Sequence, residues 1–394
     1  MTRKKILIVA HFCDCPPEDT NNRFNYIAEG LASKHEVELI TSSFSHRDKT
    51  SRATPTDELP YKITLIDEPP YRKNVSLRRL FHSHRSMARS LRKYLASHLT
   101  PDVIYCAVPS LDVAAVCAKF AKARGVPFYL DVQDLWPEAF SLAIRIPLLS
   151  KLFFLPMKGR ANFIYRSAKH IFSVSDTYAK RASSVSDAPS STVYLGTEIS
   201  RFDKCAASTE RITKDEDELL LVYLGTVGAS YDLCLTVHAL HVLGDRAPTL
   251  VILGNGPELD SVVRLANRLG VRLRLPGKLP YPEMCAVLCG CDIAINPIKK
   301  NAPQSIINKH ADYAAAGLPV ISTQNCQEYS QLLMEYGAGI SVAEGNMLTL
   351  AEAIDKLTSD EALREEMGRA SRRLAEERFD RRVAYAEIFN CLMN

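Results

Sequence analysis

Asn308-Lys309-His310-Ala311-Asp312-Tyr313-Ala314-Ala315-Ala316-Gly317-Leu318-Pro319-Val320-Ile321 joins a short polar entrance, a small-residue helix, a glycine stop and an apolar strand. An α/β protein builds an anion-binding edge this way. The helix is expected to start near Ser305 or Asn308, both good N-cap residues, so its free N–H groups and roughly half a positive charge point outward. A diphosphate suits that place. Lys309 adds a full charge, and Asp312, about one turn further on, is placed to reach a ribose hydroxyl.

Two further stretches repeat the theme. Gly225-Thr226-Val227-Gly228 follows the apolar run Leu219 to Leu224, and Gly254-Asn255-Gly256-Pro257 follows Leu250 to Leu253. Each run reads as a buried parallel strand ending in a glycine turn, where backbone can approach a ligand closely. Other strands are expected at Lys5–Ala10, Glu36–Thr41, Lys62–Ile66, Val103–Ala107, Pro127–Asp131 and His170–Val174. The second half adds Val271–Leu275, Ile293–Pro297, Leu318–Ser322 and Gly339–Val342. Strands alternating with helices predict an α/β fold with right-handed parallel sheets. Ser200 to Glu218, polar and charged, reads as the linker between two domains, and Arg378 to Leu392 reads as a terminal helix.

These landmarks, with Asn21-Asn22-Arg23-Phe24 and Asp134-Leu135-Trp136-Pro137-Glu138, resemble the retaining glycosyltransferases of family 4, particularly those of bacterial surface polysaccharide assembly. The resemblance spans nearly the whole chain. It implies a GT-B fold of two Rossmann-like parallel-sheet domains facing a central cleft. Residues 1–203 would bind the acceptor, residues 204–377 would bind the nucleotide-sugar, and residues 378–394 would cross back to the first domain. The implied reaction moves a sugar from a nucleotide-diphosphate donor, UDP-sugar favoured, to a glycan or polyprenyl-pyrophosphate-linked acceptor, with no further cofactor and no metal. A silent nucleotide-sugar-binding subunit and a GT-B epimerase are the alternatives.

Catalytic roles fall to Lys309, Gln304 and Asp134. Donor contacts fall to Gly228, Thr226, Gly254, Gly256, Lys278, Leu279, Lys299, Ser305, Ile306, Ile307 and Asp312, with Tyr281 flanking the base. His11, Arg23, Trp136 and Glu138 are assigned to the acceptor. Asp134 and Trp136 have alternatives in a turn cap and in core packing, and His11 in a structural place beside its strand. Gln304 stands where the family usually carries an acid. Ala229-Ser230-Tyr231-Asp232 replaces its usual Arg and Lys after the first glycine turn, so phosphate charge would fall to backbone amides and lysines.

Composition narrows the remainder. The chain has 394 residues, enough for two cores, and its 46% hydrophobic content supports globular packing. No run approaches the roughly 20 apolar residues of a membrane span, and no export signal is evident, so a cytoplasmic protein is expected. The 11 cysteines are odd in number and scattered, which favours free thiols and no structural zinc. A net charge of +4 without aromatic interleaving argues against nucleic acid. Two basic stretches with interspersed apolar residues, Arg72 to Lys93 and Ile144 to Lys169, suggest peripheral contact of the N-terminal half with an anionic membrane face.

Overall fold

The computed structural model describes residues 3–16, 22–53, 55, 58–71, 82–138, 147–299, 302, 305–342 and 345–393, with the side chains of 147–153 left aside. Gln304 and Asn21 lie outside the described residues, as do Lys300 and residues 72–81 of the first basic stretch. The chain divides into two compact units, Met1–Val193 with Tyr385–Asn394, and Tyr194–Ala384.

The first unit is built on strands β1 (Lys5–Val9), β2 (Glu36–Ser42), β3 (Lys62–Ile66), β4 (Val103–Val108), β5 (Phe128–Val132), β6 (His170–Ser173) and β7 (Ser190–Thr192). They pair in parallel in the order β3-β2-β1-β4-β5-β6-β7. The near-continuous apolar runs have their cause here: Ile6, Ile8, Ile104 and Leu130 are fully enclosed because helices cover both faces of such a sheet. Helix α1 (Arg23–Ala32) opens on Asn22, whose side chain accepts the amides of Phe24 at 2.8 Å and Asn25 at 3.3 Å. Helices α2 (His84–Ser97) and α3 (Leu111–Arg124) follow, and helix Pro147–Ser167 packs beside α3. Strand order reverses between β1 and β4, which opens the sheet at the carboxyl ends of those strands.

The second unit carries β8 (Leu220–Leu224), β9 (Thr249–Leu253), β10 (Leu273–Arg274), β11 (Ile293–Asn296), β12 (Val320–Ser322) and β13 (Gly339–Ser341). Its parallel order is β10-β9-β8-β11-β12-β13, so the reversal falls between β8 and β11. Both units are therefore Rossmann-like.

The expected linker is not one. Residues 199–207 form a helix, Ile199–Ala207, whose Ile199 and Phe202 are buried in the second unit's core. The charges that follow are also spoken for: Lys214 pairs with Asp292 at 2.7 Å, and Glu218 pairs with Arg274 at 2.5 Å. The terminal helix is likewise broken. A π-turn at Ala375–Phe379 leads to short helices Arg381–Ala384 and Ala386–Met393, and Val383 is 47% exposed. The Phe379 carbonyl accepts the Thr197 amide at 2.9 Å, which removes it from any continuing helix.

Glycines 254 and 256 have a different cause from the one expected. A Cβ at Gly254 would stand 2.0 Å from the Gly225 carbonyl oxygen, and one at Gly256 would stand 2.3 Å from that of Val227. The two glycine turns thus lie backbone against backbone, and Gly254 also has φ of +150°, a conformation closed to side chains. Gly254→Ala is expected to destabilise the second unit by at least about 2–3 kcal/mol, seen as a lower urea midpoint with unchanged m-value.

Candidate functional site

In the second unit, helix Asn308–Ala315 presents its N-terminus beside the β8 and β11 ends. The helix begins one residue after Ile307, and Asn308 is its first residue rather than its cap. The Ile307 amide donates to His310 Nδ1 at 3.3 Å, and the His310 ring stacks on Tyr329 at 3.7 Å between centroids. That contact removes Ile307 from the free amides expected to hold phosphate. Ile306 is core, at 3% exposure, so its side chain serves packing.

Lys309 is the unusual group. Its residue is only 7% exposed, and its Nζ has no hydrogen-bond partner among the described residues. Two tyrosine rings hold it instead, Tyr223 at 4.2 Å and Tyr231 at 3.9 Å from the ammonium to the centroids. Cation–π contacts are worth about 0.5–2 kcal/mol each, less than the cost of burying an unpaired ammonium. Burial accordingly holds the Lys309 pKa well below the ordinary lysine value. A Cβ on Gly225 would approach Nζ to 3.5 Å, so the glycine turn leaves open the space beside the cation.

Tyr313, on the same helix, ties the site to the sheet. Its hydroxyl accepts the Leu224 amide at 2.7 Å and donates to the Ile295 carbonyl at 3.3 Å, bridging the ends of β8 and β11. Behind it, Asn296 Nδ2 donates to Ser322 and Gln324, and Gln324 donates to the Ser305 carbonyl at 2.8 Å, which fixes the approach to the helix.

Asp312 is half-buried, and its Oδ1 is enclosed without a partner among the described residues. Burial pushes its pKa up to about 6, although Arg381 and a Thr197 hydrogen bond pull it down. Tyr281 does not stand ready for a base, because its hydroxyl is 3.1 Å from Thr197 Oγ1 and the ring is 9% exposed. Lys299 lies 3.8 Å from Glu258 and is partly exposed. Thr226 is exposed, with its carbonyl taken by the Tyr223 hydroxyl at 2.8 Å; Gly228 sits one turn ahead of Tyr231, whose amide it accepts at 3.0 Å. Lys278 is exposed and Leu279 packs against the core, after Gly277.

In the first unit, the acceptor candidates are mostly occupied. Arg23 is 4% exposed and donates to Asp131 at 2.8 Å and to the Val193 carbonyl at 3.1 Å. Its guanidinium also covers the Tyr385 ring at 4.5 Å. That is a structural clamp, which corrects its expected place on an acceptor surface. Asp134 accepts the Leu135 amide at 2.8 Å and Trp136 Nε1 at 3.1 Å, the turn-capping alternative. Burial raises its pKa against those two hydrogen bonds. Trp136 is 7% exposed and stacks on His84, with centroids 5.4 Å apart. Glu138 pairs with Arg181 at 2.5 Å.

His11, just beyond β1 at the strand-order reversal, lies 2.8 Å from Glu68 through Nε2. Burial works against the Glu68 carboxylate, but His11, Ser42 and Ser83 outweigh it and hold its pKa at about 2. Both side chains have no exposed surface, so this dyad stiffens the edge from within.

Both halves of the sequence match known families. Residues 206–374 match the family "Glycosyl transferases group 1", and residues 20–195 match "Glycosyl transferase 4-like domain". The chain carries both domains of a GT-B glycosyltransferase. A relative by sequence is the putative teichuronic acid biosynthesis glycosyltransferase TuaC of Bacillus subtilis strain 168, 24% identical over 247 residues. The match takes in 61% of this chain and 58% of that relative, so it spans little more than half of the relative's length.

Among solved structures, Anabaena HepE in complex with UDP superposes with a TM-score of 0.70 at 16% identity over 99% of each chain. Sucrose-phosphate synthase from Thermosynechococcus elongatus gives 0.75 at 15% identity, covering 99% of this chain and 98% of that one. WaaG, described as a glycosyltransferase involved in lipopolysaccharide biosynthesis, gives 0.67 at 14%, over 98% and 99% of the two chains. At such identities the likeness is one of fold.

The glycosyltransferase site thus differs in content from the sequence expectation. Tyr223, Tyr231 and Tyr313 were not singled out as site residues, although a tyrosine ending a buried strand before a glycine turn was a visible signal. Among the described residues no group of three or more His, Cys, Asp or Glu side chains is disposed to hold a metal ion.

Proposed function

We propose that this chain transfers a sugar, with retention, from a nucleoside-diphosphate donor, UDP-sugar favoured, to a glycan or polyprenyl-pyrophosphate-linked acceptor of surface polysaccharide assembly. The observation that carries the reading is Lys309, a buried amine beside a glycine turn with no hydrogen-bond or ion-pair partner among the described residues. As the bond from the sugar C1 to the β-phosphate oxygen breaks, that oxygen gains charge, and a fixed ammonium beside it lowers the barrier. In a same-face displacement the departing phosphate oxygen takes the acceptor proton, and no protein nucleophile is needed. UDP in the HepE complex and the relative named for teichuronic acid biosynthesis support the donor and the pathway class. The reaction is placed on the cytoplasmic side, where nucleotide-sugars are made, and is proposed to run without metal. Turnover that disappears with EDTA would reject that last point.

Asp312 is proposed to accept the ribose hydroxyls, which requires its carboxylate form. With its pKa at about 6, the folded protein holds an extra proton between the ordinary aspartate value and that point, and the acid cannot accept both hydroxyls. UDP affinity measured by calorimetry should therefore fall between about pH 8 and about pH 5, and Asp312→Asn should flatten the curve. A flat wild-type curve would move the ribose elsewhere. Product anomer analysis by NMR tests retention, and turnover that depends on added acceptor separates a transferase from a silent binding subunit.

A further inference from the structure

Thr197 stands where the chain enters the second unit, and backbone contacts fix it there. Its amide donates to the Phe379 carbonyl at 2.9 Å and its carbonyl accepts the Arg381 amide at 3.1 Å, a bridge to Asp380 held from both sides. Gly196 before it has φ of +60°, and a Cβ there would stand 2.4 Å from the Phe379 carbonyl oxygen, so only glycine fits. Arg381, 2% exposed, donates to the Leu195 carbonyl at 3.3 Å and to that of Gly196 at 3.2 Å. Thr197 itself has no exposed surface, so its hydroxyl is a fixed point.

That hydroxyl lies between two groups of opposite need. The Tyr281 hydroxyl, at the start of helix Tyr281–Leu288, is 3.1 Å away, and the Asp312 carboxyl is hydrogen-bonded to Thr197 as well. An ionised carboxylate can only accept, so Thr197 gives it the one hydroxyl proton it has and accepts from Tyr281 in turn. Burial keeps the Tyr281 phenol protonated far above its ordinary value, which suits the first donor of such a relay. Asp312 Oδ1 is left enclosed without a partner among the described residues. Arg381 attracts the carboxylate from the returning chain. Cys285, one turn beyond Tyr281, and Tyr313, beside Asp312 in its helix, also face it, and burial keeps both neutral.

We propose that Thr197 is a positioning residue for the donor: its hydroxyl proton, directed by Tyr281, holds Asp312 with Oδ1 free for the ribose hydroxyls. The inference rests on Asp312 as the ribose ligand and adds the group that keeps this ligand ionised and oriented. A hydrogen bond to a charged group shifts its ionisation equilibrium by about tenfold or more. Without the Thr197 hydroxyl, the Asp312 pKa should therefore climb from about 6 by about one unit.

The test is UDP affinity by calorimetry, from about pH 5 to about pH 8.5, in the full chain and in Thr197→Val, which exchanges hydroxyl for methyl at nearly the same volume. The midpoint of the pH curve should rise by about one unit in the variant, with binding about fivefold weaker at about pH 6 and little changed at about pH 8.5. Thr197→Ser should return the midpoint to the wild-type value, and Tyr281→Phe should raise it by a smaller step. An unmoved midpoint in Thr197→Val or Tyr281→Phe, a serine variant that behaves like the valine one, or a loss of affinity equal at every pH would each overturn the proposal. Urea unfolding reads the same bond without donor. Thr197→Val should cost more stability at about pH 8, where Asp312 is ionised, than at about pH 5, and an equal cost at both would also overturn it. A wild-type UDP curve that does not change with pH would count against the ribose reading alone.

Discussion

Lys309→Met should make the ligand-free protein more stable and the enzyme nearly inactive. The two effects share one cause. In the ligand-free fold the ammonium is enclosed by Tyr223 and Tyr231 with no anionic partner among the described residues, so removing it relieves a cost. With donor bound, the same ammonium meets the diphosphate, and its loss should lower kcat/KM by about 10²–10³-fold. Thermal melting is expected to rise by several degrees, and the upward shift given by UDP in the wild type should collapse. Removing a side chain that merely packed would lower the melting point instead.

The pH dependence follows from the sign of the shift. Burial depresses the Lys309 pKa below the unfolded value of 10.5, so in that window the unfolded chain binds more protons than the folded one. Wild-type stability contributed by this group therefore rises with pH. The advantage of Lys309→Met should shrink as pH rises and vanish above the unfolded value of 10.5. Parallel curves for the two proteins would mean that Lys309 keeps its charge with a partner.

The parallel strands were legible because burial on both faces leaves uninterrupted apolar runs, and nearly all expected strands formed within a residue or two. Very short strands escaped: β7, Ser190–Thr192, has no apolar side chain before Val193 to mark it. The linker was misread for a related reason. The charge density after Ser208 outweighed the two apolar residues, Ile199 and Phe202, that anchor helix Ile199–Ala207, and paired charges look like solvated ones until their partners are known.

At the site, sequence located Lys309 and the glycine turns but not what surrounds them. Spacing along a chain does not show that Gly254 faces the Gly225 backbone, or that the Tyr313 hydroxyl reaches two strands. Arg23 and Glu138 show the converse error. A charged residue beside a strand end has the composition of a binding site whether it faces solvent or a buried partner, and only the fold supplies Asp131 and Arg181.

Arg23→Met is the substitution that separates those two roles most sharply. The Asp131 carboxylate has no exposed surface and is held by Arg23 and by the Tyr105 hydroxyl at 2.5 Å. Without the guanidinium one hydrogen bond must satisfy a buried charge, and breaking such a pair costs about 3–5 kcal/mol. The loss should extend to the chain terminus, because Arg23 covers the Tyr385 ring and Tyr385 begins the segment that packs on the first unit. Urea denaturation should show the destabilisation, and limited proteolysis should cut residues 385–394 faster. Pairing the change with Asp131→Asn removes the orphaned charge and should recover part of the stability, whereas a residue that only held acceptor would raise KM at unchanged stability and gain nothing from the second substitution.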